Sequence, residues 1–470
     1  MKTTLLRQAP HLILLRWLGR LLPPAMLVGT VGLVVTSGVL SVQFILEPRS
    51  IAWLNQYLPA HLQIPIAQFD KPIPLSKIRQ ALQNSGQDLG EAIDLPGNAQ
   101  LYPVIQQEFN CKAPCDQMIE LRVYRPAEPL QRQSTTETHY QLVSRLVTEG
   151  LPEWVAREPL VAVRSGDPGS AQEWPLETVE IFETAIDPTP QNKSSDVGIW
   201  LNLTGKRQQG DATFTYGQLV HYNPRRSELS ALTTWTSPIE AMPKWQQVTG
   251  TAQPELVVDQ SVDLEPQFRI YQLNQQNSRI QLNPISLTKP AIAHPEYRAA
   301  LTLTQGGLWS LAYQRLQRLK DQGIPWSGNA QAQMDVIKYH AQISQQQVEQ
   351  PWANMSQQVT VNLIDGRWQR AIALLEQSKT ERKVILDELR LESAQVWRRV
   401  DIALKVWSAD PYAQAWGAVL VEGREGTIAA KNWLKRQRNQ HSTLRNQALQ
   451  KLAPNLAPTP KALEVSNRTP

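Results

Sequence analysis

The sequence predicts an α+β protein with an N-terminal single transmembrane helix, a mainly antiparallel β middle domain and an α-helical C-terminal domain. Three observations carry that expectation. The run Ala25–Leu46 contains no charged residue. Between about residues 101 and 283, short segments alternate apolar and polar side chains between turn signals. From about Pro295 the apolar period changes to that of a helix, and Ala, Leu, Gln and Arg take over. The 470 residues then divide into a basic cytoplasmic segment 1–24, a span 25–46 and a membrane-proximal helical and Pro-rich connector 47–98. A β-rich extracytoplasmic domain 99–290, an α-helical repeat-like domain 291–450 and a disordered tail 451–470 complete the division.

The span is justified by length. A helix rises ~1.5 Å per residue, so ~22 residues cover a ~30 Å hydrocarbon core, and only a helix satisfies its own backbone there. Lys2, Arg7, Arg16 and Arg20 precede the run with no acidic residue among them, and Glu47 follows it. This places the N-terminus in the cytoplasm and the bulk of the chain in a periplasmic or thylakoid-lumenal space. The run is longer than the roughly 7–15 residues of a signal-peptide core, so it reads as an uncleaved signal-anchor in contact with membrane lipid through residues 25–46. Leu12–Leu22, with Arg16, Trp17 and Arg20, reads as an interfacial helix. Ile51–Gln63 reads as a short amphipathic helix, Pro65, Pro72 and Pro74 as a connector, and Ser76–Asn84 as a helix with Ile78 and Leu82 on one face.

Cys111 and Cys115 are the two cysteines of the chain. On an exported segment two nearby thiols are expected to pair, and a loop this short would pin a turn and add little global stability. A redox pair and free thiols are the weaker alternatives, since the spacing exceeds Cys-x-x-Cys by one residue. In the β region, Ile119, Leu121 and Val123 alternate with Glu120, Arg122 and Tyr124. Gly198–Leu203 and Thr213–Tyr222 form two runs separated by Gly205–Gly210, and Glu255–Val258 and Phe268–Leu273 supply further strands. Trp235, Trp245 and Tyr271 are expected to serve sheet packing rather than a ligand.

In the helical region two segments align, Leu303–Leu316 with Leu363–Leu375. Both contain Gly-x-Trp-x-x-Ala, as Gly307, Trp309 and Ala312 and as Gly366, Trp368 and Ala371. The physical reading is a helix hairpin in which glycine ends the first helix in a left-handed turn, tryptophan plugs the corner and alanine lets the second helix approach. This pattern resembles the tetratricopeptide repeat. His294-Pro295 resembles the start of its first helix, and Asp410-Pro411 opens a weaker third copy reaching Gly426. The glycines recur about 60 residues apart, against ~34 in that family. The departure implies either an extra helix pair in each interval or a bundle that is only similar. The resemblance implies a solenoid whose concave face, within residues 295–450, binds an extended peptide or partner helix.

The 47 basic residues exceed the 42 acidic ones mainly at the two ends of the chain. This disfavours a nucleic-acid surface, which gathers basic and aromatic residues on one face. No phosphate-cradling Gly-rich Lys loop, nucleophile elbow or His-Glu-x-x-His helix occurs. The histidines are scattered, and pairs such as Asp259/Asp263 and Glu177/Glu180 read as solvated carboxylates. No catalytic residue, metal ligand or cofactor is therefore assigned. The expected function is a membrane-anchored extracytoplasmic scaffold or assembly factor working through protein contacts of its helical domain. The alternative is a cell-envelope hydrolase acting on peptide, peptidoglycan or glycan from a site in the β domain.

Overall fold

The computed structural model describes residues 72–458 apart from the internal segments 108–115, 128–137, 149, 153–172, 183–197, 210–211, 277–278, 379, 392 and 439. Among the described residues the chain forms two compact units. One holds the residues up to Leu75 together with Tyr124–Arg145, the other Ser76–Val123 together with Leu146 onward. In the first, β1 (Ile73–Pro74) pairs antiparallel with His139 and Tyr140.

The second unit begins within α1 (Leu75–Gln83), at Ser76, and the helix buries Ile78 and Leu82 four residues apart. Strands β2 (Gln87–Leu89) and β3 (Ile93–Leu95) both pair antiparallel with β4 (Ala99–Gln107). In β5 (Asp116–Pro126) Leu121 and Val123 are buried, but so are Glu120 and Tyr124. The strand is therefore covered on both faces, which the alternation did not foretell. Glu120 tolerates burial because Arg122 Nε lies 2.9 Å from its Oε1. β6 (His139–Val147) belongs to the first unit as far as Arg145, and the short antiparallel pair β7 (Leu151–Pro152) and β8 (Glu173–Trp174) belongs to the second.

Two four-stranded antiparallel sheets follow. The first contains β9 (Thr178–Ile181), β10 (Ile199–Gln209), β11 (Ala212–Asn223) and β12 (Glu228–Ser237), in the order β12-β11-β10-β9. The second contains β13 (Lys244–Gln246), β14 (Glu255–Asp259), β15 (Phe268–Gln276) and β16 (Arg279–Pro284), in chain order. They pack face to face through Trp200, Leu219, Trp235, Leu256, Val258, Tyr271 and Leu282, which gives Trp235 and Tyr271 their packing role. Trp245 sits edge-on to Trp200 at 5.2 Å.

The expected loop Gly205–Gly210 is mostly strand. β10 runs through Gly205 to Gln209, and Gln209 is opposite Ala212. Gly205 answers a close approach rather than a turn: a Cβ there would lie 2.5 Å from Pro175 O and 2.6 Å from the Tyr216 ring.

The other face of the second sheet receives the helices. Val257 and Ile270 pack with Val336, Phe268, Ile285 and Tyr339. The C-terminal helices are α2 (Pro295–Gln305), α3 (Trp309–Asp321), α4 (Gly328–Glu349), α5 (Met355–Ile364) and α6 (Trp368–Gln377). They continue as α7 (Arg382–Leu391), α8 (Ser393–Val406), α9 (Pro411–Glu425), α10 (Thr427–Arg436) and α11 (Ser442–Leu452). Their starts are written in the chain. Pro295 and Pro411 occupy first-turn positions, and His294, Ser327, Asn354 and Asp410 accept backbone N–H bonds as caps.

Every residue from Ala413 to Val421 is buried, because α9 packs against α6, α7, α8, α10 and α11. Trp416 anchors it by donating from Nε1 to Trp368 O at 3.1 Å. The packed chain continues beyond residue 450, since Leu452, Ala453 and Leu456 are buried in the same core.

The transmembrane element requires correction. No helix among the described residues is long and apolar enough to cross a membrane, so the fold class is α+β with eleven helices among the described residues. Even α4, at 22 residues, carries Asp335, Lys338, His340 and several glutamines, side chains that hydrocarbon excludes. The span assigned to Ala25–Leu46 lies outside the described residues, as do the helices expected at Leu12–Leu22 and Ile51–Gln63, Cys111, Cys115 and most of the expected tail.

Gly205→Ala should destabilise the protein by about 1–3 kcal/mol, the usual range for overpacking, because the opposing Pro175 carbonyl is main chain and yields little. Denaturant unfolding checks this, and a stabilised variant would show that the sheet relaxes around the methyl group.

Candidate functional site

A connected set of buried polar side chains in the second unit lies where the β13–β16 sheet meets the helices. It begins with the two Gly-x-Trp-x-x-Ala corners. Gly307 has φ 73° and Gly366 φ 75°, both left-handed. Leu308 N donates to Leu303 O, and Arg367 N donates to Asn362 O, the same bond from five residues back that closes the end of a helix on a left-handed glycine. The residues after the glycines agree too, Leu308 at φ −84°, ψ 61° and Arg367 at φ −85°, ψ 57°. Trp309, Trp368, Ala312 and Ala371 are buried in one core.

The corners touch. A Cβ on Gly366 would lie 2.8 Å from Leu311, and Ser310 of the first corner hydrogen-bonds the buried Asp365 of the second. Burial pushes the Asp365 carboxyl up, with the bonds from Ser310 and Arg367 pulling it back. The third segment differs. Gly426 has φ 87°, ψ 170° and caps α10 directly. The long interval between the first two glycines holds one extra long helix, α4, and not the extra helix pair that the spacing suggested.

That helix makes the seam. Gln333 is buried, and its amide is fully used: Nε2 donates to Ser286 O (2.6 Å) and Lys289 O (2.7 Å), while Oε1 accepts from Ala291 N (3.1 Å) and Tyr297 Oη (2.8 Å). One turn or two further on, Tyr339 Oη donates to Gln246 Oε1 (3.1 Å). His340 stacks on Trp309 at 3.9 Å between ring centroids. Its Nε2 accepts from Phe268 N (2.9 Å), which leaves Nδ1 to donate to Val336 O (2.8 Å). Complete burial lowers its pKa from 6.5 to about 4, so the ring is neutral with both nitrogens committed.

Arg399 completes the seam. Its side chain is 3% exposed, and Nη1 lies 2.8 Å from Glu265 Oε1 in the turn between β14 and β15. Nε donates to Ile364 O (3.3 Å), at the end of α5, and Nη1 also reaches Gln395 O (3.4 Å). A Cβ on Gly307 would stand 3.0 Å from Nη2. Beside these groups a cavity of about 480 Å³ opens between the turn 260–267, the strand end at Pro284–Thr288, the first helix corner and the start of α8.

Sequence reasoning reached the six corner residues and the structure gathers them, but it missed Glu265, Gln333, His340, Arg398 and Arg399. One signal was available: Gln333, His340 and Ser344 interrupt the buried stripe of α4, where unpaired polar groups are costly. Of the acidic pairs, Asp259 accepts from Ser261 N in its own turn, and Glu180 lies on β9 opposite Asn202. Among the described residues no group of three or more metal-ligating side chains forms. Comparison with family models, curated proteins and solved structures finds no match to this chain.

Arg399→Met should lower the unfolding free energy by about 3–5 kcal/mol, because it strands a largely buried carboxylate. Glu265→Gln should cost less, since an amide oxygen still accepts. Denaturant titration decides, and a loss below about 1 kcal/mol for Arg399→Met would detach the seam from this pair.

The histidine gives a pH dependence. Its folded pKa lies below the unfolded value, so stability is complete above about 6.5 and is lost as pH falls toward about 4, by about 3 kcal/mol in all. His221, also buried and lowered to about 4, adds a second loss in the same window. The unfolding free energy of His340→Gln should therefore fall less steeply than that of the parent between those pH values. Parallel slopes would show that His340 protonates without unfolding.

Proposed function

We propose that this protein is a non-enzymatic scaffold or assembly factor that holds partner proteins against its helical domain. The observation that carries the reading is the pair of matched helix corners, in contact through Ser310 and Asp365 and fastened to the sheet by Arg399, Gln333 and His340. Stacked helical hairpins offer long grooves for extended peptides, and fastening them to a sheet removes part of the ordering cost of binding. The groups at the seam that could move protons are occupied in structure. The ring nitrogens of His340 are both bonded, and Glu265 is paired with Arg399.

The tetratricopeptide-like reading belongs to this proposal in a restricted form. It covers the corners at Gly307 and Gly366, with α4 as an added helix and α9 as a central helix where a solenoid would have only neighbours.

Cross-linking of the full-length protein with its bound partners tests the reading. Partner cross-links should concentrate on Lys320, Lys338, Lys405, Lys431 and Lys435 of the helical region. Cross-links confined to Lys77, Lys206 and Lys244, on α1 and the strands, would overturn it.

A further inference from the structure

The cavity beside Arg399 has a chemical preference. Its charged lining groups are Arg269, Arg398 and Arg399 against the single carboxylate of Glu265. Arg399 is held almost out of water with Nε and Nη1 engaged, while Nη2 lies over Gly307 on the cavity wall and has no hydrogen-bond partner among the described residues. Nη2 is not sealed from solvent, so an acceptor entering the cavity can reach it, and a charge-assisted bond to a guanidinium is among the stronger hydrogen bonds. The exposed Arg398 stands at the rim, where its Nη2 donates to Gln305 O. Gln267, Gln305 and Gln395 also line the space, residues whose amides can both donate and accept. A volume of about 480 Å³ lies within the ~300–1,000 Å³ of ligand clefts.

We infer that this cavity docks an acidic peptide segment of a partner protein, with a carboxylate received by Arg399 Nη2 and Arg398 and the peptide main chain by the glutamine amides. Guanidinium groups match carboxylates in geometry as well as charge, and the amides supply the paired donors and acceptors that a peptide backbone needs. The inference rests on the scaffold reading and specifies the chemistry of its partner. A competing attraction exists on α10, where Lys431 and Lys435 are exposed and no acidic residue occurs from Gly426 to Leu463. The test must separate the two.

Fluorescein-labelled hexaglutamate is titrated into the full-length protein and followed by anisotropy, with hexalysine, succinate and inorganic phosphate as competitors. Arg398→Glu should weaken binding by about tenfold or more, while Lys431→Glu/Lys435→Glu should change it by less than about threefold. Hydrogen exchange should slow at residues 284–288 and 394–399 on binding. Unchanged binding by Arg398→Glu, or a loss confined to the lysine variant, overturns the proposal. Phosphate competing as well as unlabelled hexaglutamate overturns the peptide assignment in favour of a general anion site. Should Arg398→Glu lose its circular dichroism, Arg398→Gln takes its place, with a loss of about threefold expected and no change refuting the site. If partner cross-links stay on the helical lysines while hexaglutamate fails to bind, the cavity assignment alone falls. Cross-links confined to α1 and the strands instead remove the scaffold reading.

Discussion

Arg399 is a cation removed almost entirely from water, and three separate parts of the chain meet on it. Glu265 comes from the turn between two strands, the Ile364 carbonyl from the end of α5, and the bare α-carbon of Gly307 from the first helix corner. A buried guanidinium survives only where acceptors replace its hydration. The sheet, both corners and α8 must therefore arrive together for any of them to be stable there. The glycine serves two ends at once: it permits the left-handed turn, and it leaves the space in which the guanidinium lies.

The same logic extends along α4. Gln333 closes four hydrogen bonds with the segment leading out of the sheet and with Tyr297, and His340 joins Phe268 to Trp309 by a hydrogen bond on one side and a stacked ring on the other. Each of these contacts joins groups far apart in sequence. An apolar seam would tolerate sliding, whereas fully satisfied polar groups fix one arrangement. That fixed arrangement leaves the cavity open beside Arg399 and gives the helical hairpins a constant orientation on the sheet.

Much of the local structure was legible. The helix starts at Pro295 and Pro411, the strands around Leu121, Leu201, Val220, Val257 and Ile270, and the corner residues from Gly307 to Ala371 follow from caps, alternation and glycine placement. Gly205 was misread because a glycine in a strand looks the same in sequence whether it turns the chain or admits a neighbour. The burial of Glu120 and Tyr124 was not foreseen, because alternation reports the period of a strand and not how many of its faces are covered. The uncharged run near the N-terminus led to a spanning helix, an element that no described helix supplies.

The sequence by itself determined many of the segments that become helix or strand and where two hairpin corners of one design would form. Those properties depend on residues within a turn or two of each other, and caps, periodicity and left-handed glycines are local. Only the tertiary structure decided that α4 is the helix laid on the sheet, that α9 lies at the centre of the helical core, and that Glu265, Gln333, His340 and Arg399 share one seam. The physical reason is distance along the chain. Glu265 and Arg399 are 134 positions apart, and nothing in the neighbourhood of either residue specifies the other until the folded backbone removes both from water.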